Sequence, residues 1–172
     1  ASWLAESFLS PALDALRFQG KLWGLPLHLQ TVTFIYNTRL IQDEELSAQT
    51  AELLAKARAY QASRAGIWYL VYPARNDMYF AAPWFYGAGA WYVDEEGQVG
   101  LNTPGGLEAA AFLASLREIM PLDIDLGKAD ALFKAGQAAI TVNGPWYLPE
   151  LEAAGIPYAL QLMPTVSSSR QP

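Results

Sequence analysis

The chain has 172 residues, a length that predicts about one domain of ordinary size. Hydrophobic residues make up 52% of it and charged residues only 16%, which excludes intrinsic disorder and leaves ample material for a core. The net charge of −6 argues against nucleic acid and anionic membranes as partners. Because the chain has no cysteine, disulfide scaffolds, thiol catalysis and cysteine-based zinc sites are excluded as well.

The first part of the chain predicts one short helix followed by extended structure. Ser10 followed by Pro11 has the pattern of an N-cap with proline at the first helical position. Residues 21–29 contain apolar positions and a proline, which favours an extended segment rather than a central strand. Residues 31–36 are β-branched or aromatic throughout, so they predict a buried strand.

The middle of the chain alternates between helical and strand patterns. A helix is predicted from Thr50 to about residue 62, and the apolar run at residues 67–72 predicts a strand. Asp77 is placed to cap a helix that runs to about residue 87. Residues 91–99, with an acidic turn at their centre, predict a hairpin.

The last part repeats the alternation. Thr103 caps a predicted helix that reaches residue 116, and a second helix covers residues 129–135. The run 138–142 predicts a strand, Pro145 opens a helix, and residues 158–163 predict a last strand. Strands that alternate with helices predict an α/β layered domain.

Three sequence motifs occur in a fixed order along the chain. Residues 18–26 read FQGKLWGLP and lead into FIYN at residues 34–37. Residues 77–80 read DMYF, and residues 132–146 read LFKAGQAAITVNGPW. Together they resemble the extracytoplasmic solute-binding proteins of ABC sugar transporters, most closely the maltose/maltodextrin-binding group.

The resemblance implies a particular fold and a division of the chain. The family has two α/β lobes with ligand held between them, and this chain is similar to the second lobe with short flanks. The expected fold is therefore one lobe of a periplasmic-binding-protein-like type II fold, with a mixed sheet flanked by helices. Residues 1–30 correspond to the first crossover and its flank, residues 31–162 to the second lobe, and residues 163–172 to a hinge remnant and tail.

The strongest candidate ligand residues are Trp146, Asp77 and Tyr79. A sugar presents C–H faces and hydroxyl groups, so its site needs aromatic platforms beside polar acceptors and donors. Trp146 follows a Gly-Pro turn, and in the resembled family the tryptophan of this motif stacks on a sugar ring. Asp77 and Tyr79 match the family's acidic-x-Tyr motif. The alternatives are a tryptophan that packs over a strand end and an aspartate that only caps a helix.

Three further residues are weaker candidates. Gln30 lies where many maltodextrin binders have a glutamate, so a charge-assisted hydrogen bond is replaced by a neutral one. His28 is the only histidine, and an ordinary exposed polar role is its alternative. Phe80 follows Tyr79 directly, and its alternative is a place in the core.

The expected function is non-catalytic capture of maltose- or maltodextrin-like sugars for import. The partners implied are an oligosaccharide, the missing first lobe and an ABC permease, in an extracytoplasmic location such as the periplasm or a lipid-anchored position at the cell surface. No catalytic residue, cofactor or metal is expected, and the weak calcium-loop pattern at Asp123 and Asp125 is interpreted as a solvated loop. The alternatives are a fragment of a carbohydrate-active enzyme and a scaffold lobe without a ligand of its own.

Overall fold

The computed structural model describes residues 2–94, 96–121 and 123–166. The chain divides into two compact units, residues 1–31 and 32–172. The three-part division predicted from the sequence, with boundaries after residues 30 and 162, stays a prediction. Residues 167–172 of the predicted tail lie outside the described residues.

The first unit is built from two short helices and a hairpin. They are α1 (Ser2–Ser7), α2 (Ser10–Asp14), β1 (Arg17–Phe18) and β2 (Lys21–Leu22). Gln19 and Gly20 join the two strands with φ values of 51° and 72°, the left-handed conformation that a two-residue hairpin turn requires. The predicted helix at Ser10 is confirmed, but Ser10 is its first residue and Leu9 is its N-cap.

The second unit contains four strands, five α-helices and three 3-10 turns among its described residues. The strands and helices are β3 (Thr33–Asn37), α3 (Thr50–Ser63), β4 (Trp68–Val71), α4 (Met78–Gly87), α5 (Pro104–Ser115), α6 (Leu126–Lys134), β5 (Ala138–Asn143), α7 (Leu148–Ala153) and β6 (Tyr158–Gln161). The 3-10 turns are Asp43–Glu45, Leu116–Glu118 and Pro145–Tyr147. The N-caps predicted at Asp77 and Thr103 are confirmed, since each side chain accepts a backbone N–H in the first turn of its helix.

The four strands form one mixed sheet in the order β4-β5-β3-β6. β5 runs parallel to β4 and antiparallel to β3, and β6 is antiparallel to β3. β5 is buried along its whole length, as its uninterrupted apolar run predicts for a strand covered on both faces. The predicted α/β class with a mixed sheet flanked by helices is confirmed.

Both faces of the sheet carry a core. Phe34 and Tyr36 of β3 point into the larger core, which includes residues of α3, α4 and α5. Ile35, between them in sequence, points to the opposite face, where it packs with Phe133, Tyr147 and Leu151 from the α6 and α7 side. This alternation follows from the two-residue period of a strand.

The hairpin predicted at residues 91–99 is wrong, since the described residues there form a loop without paired strands. The Asp94 side chain accepts hydrogen bonds from the backbone N–H groups of Glu96 and Gln98 at 3.1 and 2.7 Å. An aspartate that satisfies neighbouring N–H groups in this way closes a turn locally and competes with strand pairing.

Candidate functional site

The site predicted in the second unit lies at one edge of the sheet. β4 and β5 are parallel, with Val71 opposite Thr141, so their carboxyl ends reach the same edge. The chain leaving β4 leads to the N-terminus of α4, and the chain leaving β5 leads to the Pro145–Tyr147 turn. Ligand sites of α/β sheets lie at such carboxyl edges.

Tyr79 and Trp146 form an exposed aromatic pair at this edge. Their ring centroids are 6.3 Å apart, and the ring planes are inclined by 45°. Tyr79 is 50% exposed and Trp146 is 37% exposed, so neither ring is part of the core. The fold thus brings together two residues from distant motifs as neighbouring platforms that solvent can reach.

Asp77 lies beside the pair as the N-cap of α4. One of its carboxylate oxygens, Oδ1, accepts the backbone N–H of Tyr79 at 2.9 Å. This bond fixes the start of the helix and with it the position of the Tyr79 side chain. A carboxylate offers more acceptor positions than one cap requires, and since Asp77 is exposed, it can also accept hydroxyl groups of a ligand.

Phe80 is almost completely buried beside the predicted site. Its side chain is only 3% exposed and belongs to the larger core. Its ring meets the Tyr79 ring edge to face, with centroids 5.5 Å apart and an angle of 89°. Phe80 therefore supports the Tyr79 platform from the core. The one-residue step along the helix turns Phe80 inward and Tyr79 outward.

Gln30 and His28 belong to the first unit, in the irregular segment that follows β2. Both residues are exposed. The ring pair, Asp77 and Phe80 all belong to the second unit. The ligand roles of all six predicted site residues stay predictions.

Gly144 sets the position of the Trp146 ring. It is buried at the end of β5, and a Cβ atom added to it would overlap the Cζ3 and Cη2 atoms of the indole. The six-membered part of the indole therefore packs directly against the glycine backbone. Only glycine leaves this space, which gives the Gly-Pro-Trp motif a steric explanation that the sequence pattern alone did not supply.

Asn143 anchors the same turn from below, a role that the sequence analysis missed. It is completely buried; its Oδ1 accepts the Gly144 N–H at 2.9 Å, and its Nδ2 donates to Asp130 Oδ1 at 2.9 Å. The Tyr147 hydroxyl donates to the Asp130 carbonyl at 3.1 Å. These bonds tie the end of β5 to α6. An asparagine between a buried strand and a glycine is the signal that could have indicated this anchor.

Asp130 has a raised pKa in this setting. Burial raises its pKa from the ordinary value of 3.8 to about 6; nearby Glu150 adds to the rise, while Lys134 and the hydrogen bond from Asn143 oppose it. Since the native state holds this proton more tightly than the unfolded state, Asp130 contributes stability below about pH 4, which is lost as the pH rises through about 6.

We expect Asp130→Asn to stabilise the protein at pH 8 and to have little effect at pH 4. The amide keeps an oxygen that can accept from Asn143 and removes the unfavourable charge. Because the side chain is partly exposed, solvent screening limits the gain to about 1 kcal/mol. Urea unfolding of both proteins at the two pH values measures it. A gain that is larger at pH 4 than at pH 8 would contradict the assignment.

In residues 2–94, 96–121 and 123–166, no group of three or more His, Asp or Glu side chains is arranged to hold a metal ion. Asp125 caps α6 by accepting the Lys128 N–H at 2.8 Å. Over the same part of the chain, none of the helices has both the length and the apolar character needed to cross a bilayer.

Several known proteins are similar in sequence to most of this chain. The chain is 25% identical over 166 residues to the maltotriose-binding protein of Pyrococcus abyssi, covering 95% of this chain and 36% of that protein. It is 25% identical over 160 residues to the galactooligosaccharide-binding protein of Bacillus subtilis, covering 87% of this chain and 38% of that protein. For the maltodextrin-binding protein of B. subtilis the identity is 24% over 177 residues, covering 96% of this chain and 42% of that protein.

The chain thus spans about two fifths of the length of these relatives. The sequence model of the bacterial extracellular solute-binding proteins matches residues 4–171. That match includes the whole mixed sheet and both motifs that supply the ring pair. The chain belongs to the family of bacterial extracellular solute-binding proteins.

Proposed function

We propose that the second unit is the carbohydrate-binding wall of a solute-binding protein that captures maltose- or maltodextrin-like oligosaccharides for import by an ABC transporter. The observation that carries the proposal is the exposed pair of Tyr79 and Trp146, 6.3 Å apart, with the Asp77 carboxylate beside it. The rings offer apolar faces to the C–H face of a sugar, and the carboxylate accepts its hydroxyl groups.

The chemistry of the site favours a neutral ligand of the oligosaccharide type. Two of the relatives are named for maltotriose and maltodextrin, which supports an α-linked glucose chain. A third is named for galactooligosaccharides, so galactose-containing chains are the second candidate. Gln30 lies where many maltodextrin binders have a glutamate. Because an amide binds hydroxyl groups more weakly than a carboxylate does, this difference argues against maltose itself as the ligand.

We further propose that the protein is not an enzyme. The alternative considered from the sequence was a glycosidase, which requires two carboxyl groups on either side of the scissile bond. The contacts described for the ring pair include one carboxylate, Asp77, and that group already caps a helix. The relatives named above are binding proteins, which supports the same conclusion.

The proposed partner of the first unit is a further lobe of the same protein. In the irregular segment after β2, large apolar side chains alternate with other residues and are all exposed; they are Trp23, Leu25, Leu27 and Leu29. A two-residue apolar period is the pattern of a strand that buries one face. We propose that this face packs against the first lobe, and that closure of the two lobes on the sugar, outside the cytoplasm, is what the permease recognises.

We expect the 172-residue chain to bind its sugar with a dissociation constant in the millimolar range. A ligand site usually buries about 70–90% of the ligand, and one wall cannot do so. Each lost factor of ten in affinity needs only about 1.4 kcal/mol, which one or two missing hydrogen bonds supply. NMR titration with maltose, maltotriose, trehalose and galactooligosaccharides measures the affinity through the Trp146 indole signal.

The titration, together with an assay of a chromogenic maltoside, can support or contradict the proposal. Saturable shifts at Trp146 and Tyr79 in the millimolar range support the proposal. A dissociation constant in the low micromolar range would show that one wall of the binding cleft is enough for recognition, and that a second wall is not required. If no saccharide shifts these signals, or if a chromogenic maltoside is turned over, the proposed function is wrong.

A further inference from the structure

One face of α4 is exposed and yet carries no polar or charged side chain other than tyrosine. Tyr79, Ala82, Pro83 and Tyr86 recur at the i, i+3, i+4 and i+7 positions, which share one helix face. Tyr86 is 50% exposed, as is Tyr79, and the two residues between them are partly exposed. A surface helix normally places charged residues on this face. We call these four residues the α4 stripe.

The α4 stripe is continuous with the ring pair at one end. Tyr79 belongs to both, and Tyr86 lies about 10 Å further along the helix axis. This distance exceeds the size of one sugar ring, so a ligand that reached both tyrosines would have to be a chain of several units.

Tyr92 places a second aromatic ring beside that of Tyr86. Its ring centroid is 5.6 Å from that of Tyr86, with the planes inclined by 59°. Its hydroxyl donates to the Met78 carbonyl at 2.5 Å, which holds the ring against α4. Burial raises the pKa of Tyr92, and Tyr86 and Asp77 raise it further, so this phenol remains a neutral donor. Tyr86 and Tyr92 therefore form a second inclined pair of aromatic rings, similar to that of Tyr79 and Trp146.

The chemistry of the stripe suits a carbohydrate better than an aliphatic protein surface would. Its aromatic rings are apolar, carry hydroxyl groups and have no charge.

From this arrangement we propose that Tyr86 and Tyr92 form a second sugar subsite, so that the α4 stripe binds an oligosaccharide of at least three units that starts on the Tyr79–Trp146 pair. The inference rests on the proposed function and extends it to the length of the ligand. It assigns a role to two tyrosines that none of the sequence motifs included.

The test compares the affinities for short and long chains. NMR titration of the 172-residue protein with malto- and galactooligosaccharides of two to five units measures the ratio between tetrasaccharide and disaccharide affinity. We expect the tetrasaccharide to bind about three- to tenfold more tightly, which is the contribution of one stacking platform. Tyr86→Ala should reduce this ratio to about one and leave the disaccharide affinity unchanged, whereas Tyr86→Phe, which keeps the ring, should retain it.

Control variants separate the subsite from effects on folding. Leu107→Ala, at an exposed apolar position of α5, should leave both affinities unchanged. Tyr86→Leu keeps an apolar contact with Tyr92 but has no ring, so it should also give a ratio of about one if Tyr86→Ala fails to fold.

Each remaining result would overturn the inference. If the disaccharide binds but the wild-type ratio is already one, or if Tyr86→Ala retains the wild-type ratio, the proposed function stands and the second subsite is wrong. If sedimentation shows a dimer that Tyr86→Ala dissociates, the stripe is an interface between copies. If no saccharide binds at all, the proposed function and the second subsite fail together.

Discussion

Trp146→Ala is expected to weaken sugar binding at least about tenfold while leaving the fold intact. The indole supplies the larger of the two platforms, and truncating an aromatic side chain at the centre of a binding surface commonly costs about 2 kcal/mol or more. Because Trp146 is exposed, its removal should change the free energy of unfolding by less than about 1 kcal/mol. Sugar titration followed by NMR and urea unfolding measure the two quantities separately.

Gly144→Ala is the companion variant for this prediction. It keeps the tryptophan but places a methyl group where the Cζ3 and Cη2 atoms of the indole lie. We expect the ring to move away from its place beside Tyr79, so that binding falls by a similar factor even though both aromatic residues remain. Binding that persists in Trp146→Ala would show that the ring pair is not the platform.

Trp84→Ala should lower the free energy of unfolding by about 3–5 kcal/mol, which is comparable to the total stability of a marginal domain. Trp84 is completely buried in the larger core, where its ring lies 4.8 Å from Phe112 and 6.4 Å from Phe34. The side chain thus connects α4, α5 and β3, and its loss leaves a large cavity between them. Urea unfolding followed by circular dichroism measures the change.

Trp84→Phe isolates one part of this effect. The Trp84 Nε1 group donates to the hydroxyl oxygen of Tyr72 at 2.7 Å, and both side chains are fully buried. Phenylalanine fills much of the space but leaves the Tyr72 hydroxyl without this donor, at a cost of about 1–3 kcal/mol. Leu107→Ala, on the exposed side of α5, should change stability by no more than about 0.5 kcal/mol. Equal losses for Trp84→Ala and Leu107→Ala would contradict the described core.

The sequence predicted the four strands and two of the helix starts, for physical reasons that particular residues illustrate. The helix predicted from residue 129 begins earlier, at Leu126, and Pro145 opens a 3-10 turn rather than an α-helix. The run at residues 138–142 has no polar face, and its short length and β-branched residues favour an interior strand over a buried helix. Asp77 and Thr103 cap helices through their own side chains, an interaction that depends on local sequence alone. The strand order could not be predicted in this way, since it depends on contacts between distant segments.

The candidate site was predictable only in part. Tyr79 and Trp146 were identified from motifs, yet the inward turn of Phe80 depends on which face of α4 meets the core. The role of Asn143 depends on its contact with Asp130 on another helix. Tyr86 could have been found from the sequence, because it follows Tyr79 at the helical spacing of seven in a segment without charge.

The position of β5 in the sheet determines when this lobe can fold. β5 lies between β4 and β3, although it is made long after both, and the Thr141 hydroxyl bonds the Val71 carbonyl across a separation of 70 residues. The Thr33 hydroxyl bonds the Gln161 carbonyl across 128 residues. The chain must lose the entropy of closing these long loops before strand pairing lowers its free energy. Folding is therefore slow compared with that of a helical bundle. During synthesis β3 and β4 therefore emerge before the strand that lies between them, and a chain that stops before residue 138 cannot form the four-stranded sheet.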